Sequence, residues 1–291
     1  MISRRKLLAN TAALAALAPL SNFTELFAAN YNRKLKIGAC DWSIGKDSSI
    51  EAFDLAKKIG LDGIQANMGS EKNNLHLRDT TLQRSYLEAS KNSGVKISSL
   101  AIGELNHVPY KSDSRTEEWV SDSIDVAKNL GVSVVLLAFF SKNDLRKDEQ
   151  GKKEVIRRLK RVAPKAEKMG VILGIESYLN AAEHLEIIEA VGSKNVQVYY
   201  DFRNTADAGY DSVKEFKLIG NKNICELHMK ENGVLLGQGS LPWEQIRDAI
   251  YETGYHGEGW MQIEWAMAKE ADVIESYKHN LGFLESLFGK K

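Results

Sequence analysis

Two cysteines, four prolines and six histidines are all that 291 residues contain of these types, and neither charge is in excess: Lys plus Arg and Asp plus Glu each number 39. Each scarcity excludes something. Two cysteines cannot make the disulfide framework of a small secreted module, and Cys40 and Cys225 each fall inside an apolar run expected to be a strand. As members of strands one and seven they would not be neighbours, so two buried free thiols are expected. The lack of any Pro- or Ser-rich stretch after residue 34 leaves no linker to divide the chain. Zero net charge supplies no global field for nucleic acid or an anionic membrane, so neither is expected as a partner. The apolar run Thr11 to Leu20 is too short for a bilayer, which takes roughly 20 residues, so no stable membrane span is expected in the mature chain.

What is present begins with an N-terminus unlike the rest. Ser3-Arg4-Arg5-Lys6-Leu7-Leu8 precedes that apolar run, and no acidic residue occurs before Glu25. This is the layout of a twin-arginine-like signal peptide over residues 1–29, with small residues at Ala28-Ala29 for cleavage, and it predicts an exported, periplasmic protein. Residues 34–291 then form one domain.

Within that domain, Val-, Ile- and Leu-rich runs alternate with segments of helical period. The strand candidates are Leu35 to Cys40, Asp62 to Ala66, Val95 to Leu100, Val132 to Ala138, Val171 to Glu176, Val196 to Asp201, Ile224 to His228 and Trp260 to Glu264. Helices are expected at Ile50 to Ile59, Thr80 to Asn92, Thr116 to Asn129, Lys152 to Lys168 and Glu270 to Phe288. Gly60, Gly94, Gly131 and Gly170 stand where a helix would end and a strand begin, and glycine is the residue that accepts the left-handed cap there. The pattern predicts an α/β fold, a single (β/α)8 TIM barrel. A doubly wound open sheet would want a glycine-rich phosphate loop after its first strand, and Asp41-Trp42-Ser43-Ile44-Gly45 is not one.

Glu176, Asp201, His228 and Glu264 each close one of the last four runs, about one βα unit apart. In a barrel such strand ends converge on one mouth. Three carboxylates gathered without compensation would repel one another and raise their pKa values, so a bound cation is the simplest means of keeping them ionised. Three oxygen donors with one imidazole suit Mn²⁺, Mg²⁺ or Co²⁺, and leave Zn²⁺ open.

This quartet, with His228-Met229-Lys230-Glu231 and Gly237-Gln238-Gly239-Ser240-Leu241-Pro242-Trp243 after it, resembles the sugar-phosphate isomerase/epimerase family of xylose-isomerase-like barrels over nearly the whole mature chain. The resemblance implies a small sugar as partner, the quartet as the metal ligands, and Glu176 and Glu264 as an acid/base pair acting through an enediolate. The outcome can be epimerisation, isomerisation or elimination from a 3-keto-glycoside, the last favoured by export. A sugar-binding barrel without turnover is a further reading. An abasic-site nuclease of the same superfamily would need more than the six histidines present and a basic face, and no basic cluster is expected beyond the N-terminus. The chain departs from the family at Asn204, where a histidine is often found, and at Gln65, where a glutamate is often found and which could bond a hydroxyl but not act as a base. Lys230 is expected either to meet oxyanion charge or to pair with Glu231 at the rim. Trp42 and His107 would supply a stacking surface and a hydroxyl contact or else pack in the core, Trp265 has the same two readings, and Asp41 is expected as a rim carboxylate or, in preference, a helix cap. Ile274, Tyr277, Leu281, Leu284 and Leu287 would pack the last helix on the barrel and could serve a homo-oligomer.

Overall fold

A computed structural model describes residues 36–255 and 259–289. The signal-peptide reading, with its cleavage site, lies outside these residues. Eight parallel strands close on themselves in chain order: β1 (Lys36–Cys40), β2 (Gly63–Asn67), β3 (Lys96–Ile102), β4 (Val134–Phe139), β5 (Ile172–Ser177), β6 (Val196–Asp201), β7 (Ile224–Lys230) and β8 (Trp260–Glu264). The principal helices are α1 (Glu51–Ile59), α2 (Thr80–Ser93), α3 (Arg115–Leu130), α4 (Glu149–Met169), α5 (Ala181–Val191), α6 (Phe202–Asp207), α7 (Ser212–Ile219), α8 (Trp243–Glu252) and α9 (Val273–Leu287). The expected (β/α)8 barrel is what forms.

The joints form for the expected reason. Gly60, Gly94, Gly131 and Gly170 all adopt left-handed φ values between 70° and 99°, closing α1 to α4 before the next strand. The helix starts are set by caps: α4 begins three residues before the expected Lys152 because Asp148 accepts from Gly151 N–H, and α9 begins at Val273 because Asp272 accepts from Glu275 N–H. Tyr277 and Leu284 of α9 are buried, and Ile274, Leu281 and Leu287 pack against the core. Among the described residues no helix is long and apolar enough to cross a membrane.

Two expectations need correction. Helix α4 carries a basic run, Lys152 to Lys168, although no basic cluster was expected beyond the N-terminus. Much of this charge is neutralised, because Arg157 and Arg161 pair with Glu117 of α3, Arg158 with Glu154, and Lys165 with Asp125. Strand β7 also runs two residues beyond His228, to Lys230. Since strand side chains alternate, Lys230 shares the barrel-facing side with His228 instead of standing at the rim.

Candidate active site

Registry brings the quartet together. Asp201 lies opposite His228 across the β6/β7 pair, Lys230 opposite Glu264 across β7/β8, and Glu176 opposite Ala138, one pair before the β4/β5 ladder ends at Phe139–Ser177. Glu176, Asp201, His228 and Glu264 are all buried, and one potential ligand atom from each lies within 4.8 Å of all the others. His228 Nδ1 is 3.0 Å from Glu176 Oε1, 3.5 Å from Glu264 Oε2 and 4.0 Å from Asp201 Oδ2.

Asp201 and Glu264 are each anchored through one oxygen, with the other turned toward His228 and Lys230. Asp201 Oδ1 accepts from the N–H groups of Arg203 and Asn204 at the start of α6, and Glu264 Oε1 accepts from Trp42 Nε1 at 2.8 Å. Asp201 Oδ2 is buried without a hydrogen bond, 3.6 Å from Lys230 Nζ, whereas Glu264 Oε2 is buried with Lys230 Nζ 2.9 Å away. Buried anionic oxygens, one of them unbonded, beside an imidazole nitrogen are a donor set a divalent cation would satisfy, and oxygen-rich with one nitrogen fits the hard-to-borderline ions expected from the sequence. Asp201 is thus both the helix cap and a candidate ligand.

The electrostatics are those of a crowded acidic centre. Burial pushes Asp201 up to about 6, with Glu176 and Glu264 adding to the rise and Lys230 opposing it. Burial would also raise Glu264, but Lys230 and His228, with hydrogen bonds from Lys230 and Trp42, outweigh it and bring the group down to about 2. His228 would be lowered by burial, yet Glu176 and Glu264 raise it to about 9. A cation must therefore displace a proton from His228 at neutral pH, and below about 6 one from Asp201 as well. Affinity for Mn²⁺ should fall about tenfold per unit as pH drops from about 9, and more steeply below about 6. Calorimetric titrations in buffers of different ionisation enthalpy should register about one proton released per Mn²⁺ near neutrality. The raised His228 value also stabilises the metal-free fold below its unfolded pKa of about 6.5, a contribution lost as pH climbs through about 9.

Above the quartet opens a cavity of about 310 Å³ into which Glu176, Glu264, Lys230, Asn204 and Trp42 project. Asp201 and His228 lie beneath its surface. Lys230 Nζ meets Glu264 Oε2 at 2.9 Å and Asn204 Oδ1 at 3.2 Å, and Asn204 Nδ2 donates to Glu176 Oε1 at 3.0 Å. The expected Lys230–Glu231 pair does not form. His107 is not packed in the core; its side chain is 72% exposed on the cavity rim, 3.9 Å from Glu104. Gln65 is not a cavity wall: it is wholly buried below the quartet, with Oε1 2.9 Å from His228 Nε2. Asp41 caps no helix; its Oδ2 accepts from the N–H groups of Ser48 and Asn67, tying the end of β1 to the end of β2. Trp265 is 46% exposed at the mouth with φ 47°, a left-handed conformation unusual for a bulky side chain. Asn67, at the end of β2, and Phe140 and Tyr178, just past β4 and β5, also line the cavity and were not singled out from the sequence, because residues at and beyond strand ends carry little periodic signal.

The His-x-Lys-acid and Gly-x-Gly-x-x-x-Trp segments explain each other. Glu231 is wholly buried, and its Oε1 accepts from Trp243 Nε1 at 3.1 Å and Leu241 N–H at 3.3 Å. Gly239 packs so closely that a β-carbon there would overlap the Glu231 carboxylate. Gly239→Ala should accordingly cost about 1–3 kcal/mol, read as a lower urea midpoint at unchanged slope.

Comparison with known proteins agrees with the fold. The chain belongs to the xylose isomerase-like TIM barrel family, whose model matches residues 53–287. It is similar to a D-psicose 3-epimerase of Enterocloster bolteae, 27% identical over 128 residues that cover 40% of this chain and 42% of that protein's length. Its fold matches that of a D-psicose 3-epimerase crystallised in the presence of D-fructose (TM-score 0.73, 17% identity, 88% of this chain and 100% of that one). Similar matches are an L-ribulose 3-epimerase (0.71, 19%, 88% and 95%) and a 3-keto-D-glucoside 4-epimerase from E. coli (0.70, 15%, 87% and 100%).

Proposed function

We propose that the chain is a divalent-metal-dependent epimerase or isomerase of a keto sugar or sugar derivative. The observation that carries this reading is the buried Glu176–Asp201–His228–Glu264 cluster, with the unbonded Asp201 Oδ2 among its oxygens, at the floor of a cavity of about 310 Å³. The likeness to sugar epimerases supports it. A metal held by the four side chains would polarise a carbonyl and stabilise negative charge on its oxygen. Glu176 and Glu264 are the two members of the quartet that face the cavity, so they can remove the proton α to the carbonyl and return one to the opposite face. Lys230 and Asn204, bonded to these same carboxylates, orient them, and Trp42 holds Glu264 from the other side.

One observation favours elimination from a 3-keto-glycoside as the second reading. The cavity reaches past the quartet to His107, Phe140 and the exposed Trp265, which leaves room for a substituent on the reacting sugar. Manganese-loaded protein offered ketoses and 3-keto-glucosides in D₂O separates the cases by NMR: solvent deuterium at the reacting carbon supports enolisation with epimerisation or isomerisation, aglycone release supports elimination, and tight binding with no exchange would leave only a sugar-binding barrel. The export reading belongs here too. Replacing both Arg4 and Arg5 by Lys should retain the protein in the cytoplasm, as followed by cell fractionation.

A further inference from the structure

Directly beneath the quartet the barrel is polar where side-chain layers of such barrels are usually Val, Ile and Leu. Two residues before Asp201, His228 and Glu264 on the same inward face stand Tyr199, Glu226 and Gln262, joined by Gln65 from β2 and Ser99 from β3, all buried. Neighbouring glycines make the room. A β-carbon at Gly38 would overlap Gln262 Oε1, and one at Gly174, two residues before Glu176, would sit 3.2 Å from Tyr199 Cβ and 2.7 Å from Cys225 Sγ.

The hydrogen bonds in this layer form a chain with one polarity. Glu226 Oε2 accepts from Ser99 Oγ at 2.8 Å and from Tyr199 OH at 3.0 Å. A carboxylate oxygen that receives these donors fixes the Tyr199 hydroxyl hydrogen toward itself, so the Tyr199 oxygen is left to accept, as it does from Gln65 Nε2 at 3.1 Å. The amide of Gln65 is thereby oriented with Oε1 toward His228 Nε2, 2.9 Å away. An oxygen can only accept, so Nε2 carries the hydrogen and Nδ1, the nitrogen facing the three carboxylates, is the one free to bind a cation. Tyr199 also braces the imidazole edge-on, with ring centroids 4.6 Å apart.

The geometry points to Glu226 and Tyr199 as positioning residues: through Gln65 they dictate which nitrogen His228 presents to the metal, although neither touches metal or substrate. This rests on the quartet being a metal site. Partners behind a ligand histidine typically change metal affinity about 10–100-fold when removed. Glu226→Gln tests it with almost no change of shape, because the amide can turn a donor toward Tyr199 and release the chain to invert. Tyr199→Phe cuts the chain while keeping the ring. Tyr86→Phe, which removes a buried hydroxyl with no hydrogen-bond partner, on helix α2, is the control.

Co²⁺ alone, without sugar, is titrated into the full chain and followed by calorimetry and by visible absorption, which reports the ligand field and is indifferent to core packing. Expected are Co²⁺ affinities about 10–100-fold weaker with an altered spectrum for Glu226→Gln and Tyr199→Phe, and unchanged values for Tyr86→Phe. Wild-type affinity and spectrum in both variants would overturn the relay while leaving the metal site intact. Wild-type protein that binds no Co²⁺ would instead overturn the metal reading and the relay with it. Should Tyr199→Phe fail to fold, the isosteric Glu226→Gln decides alone.

Discussion

Glu264→Gln should lower sugar turnover by about 10²–10⁴-fold and abolish solvent deuterium incorporation, with the barrel still folded. The change removes one heavy-atom charge and nothing of the volume, but both oxygens are engaged: Oε1 accepts from Trp42 Nε1 and Oε2 lies 2.9 Å from Lys230 Nζ. Whichever way the new amide turns, its NH₂ faces a donor, so the position of the group suffers together with its basicity. Glu176→Gln should fall as far, since an acid/base pair working on opposite faces fails when either member is lost. Proton NMR in D₂O measures the exchange, and circular dichroism with a thermal scan establishes that the variants fold. Retained exchange in Glu264→Gln, with loss confined to Glu176→Gln, would assign proton removal to Glu176 alone; full activity in both would remove them from the chemistry.

Saturating Mn²⁺ should stabilise the protein markedly, and chelation should reverse the gain and stop turnover. At a free concentration of about 100 Kd the linkage contribution is about 2.7 kcal/mol, which for a domain of this size is a rise in Tm of roughly 5–10 °C. The physical source is the repulsion among three buried carboxylates, compensated in the metal-free chain only by His228 and Lys230. Asp201→Asn discriminates charge from capping: its side-chain oxygen can still accept from Arg203 and Asn204 N–H, so α6 keeps its cap, while the charge offered to the cation is gone. The variant should fold without metal, show little Tm response to Mn²⁺ and lose turnover. An undiminished response by differential scanning calorimetry would exclude Asp201 from the ligand set.

Much of the barrel was readable from local chemistry. A glycine that ends a helix and a Val- or Ile-rich run that follows it are near neighbours in the chain, and the physics linking them, a left-handed cap and a buried strand, needs no distant partner. The quartet was readable for a related reason: once eight strands are counted, strand ends are equivalent positions, so Glu176, Asp201, His228 and Glu264 had to share one mouth. Tyr199, Glu226 and Gln262 carried a usable signal as well, since they are polar or hydroxyl-bearing residues two positions before candidate ligands on strands otherwise apolar, but the bonds joining them cross strands and show only in space.

Lys230 illustrates the limit most clearly. Its sequence neighbour Glu231 was an obvious partner, but β7 extends two residues farther than its apolar run, the alternation of the strand turns the two side chains to opposite faces, and Lys230 joins the carboxylates while Glu231 is buried under the Gly239 loop. Gln65 was displaced from its expected place in the same manner, to the barrel interior, while His107 stands on the cavity rim, the first of its two expected placements. By itself the sequence determined the βα repeat, the closed sheet and the four side chains that meet at its mouth, because these depend on periodicity and on interactions within one unit. The tertiary structure decided which oxygens of Glu176 and Glu264 are held, and which nitrogen of His228 is free, because hydrogen bonds from Asn204 to Glu176, between Gln65 and His228 and from Trp42 to Glu264, spanning 28, 163 and 222 positions, set them.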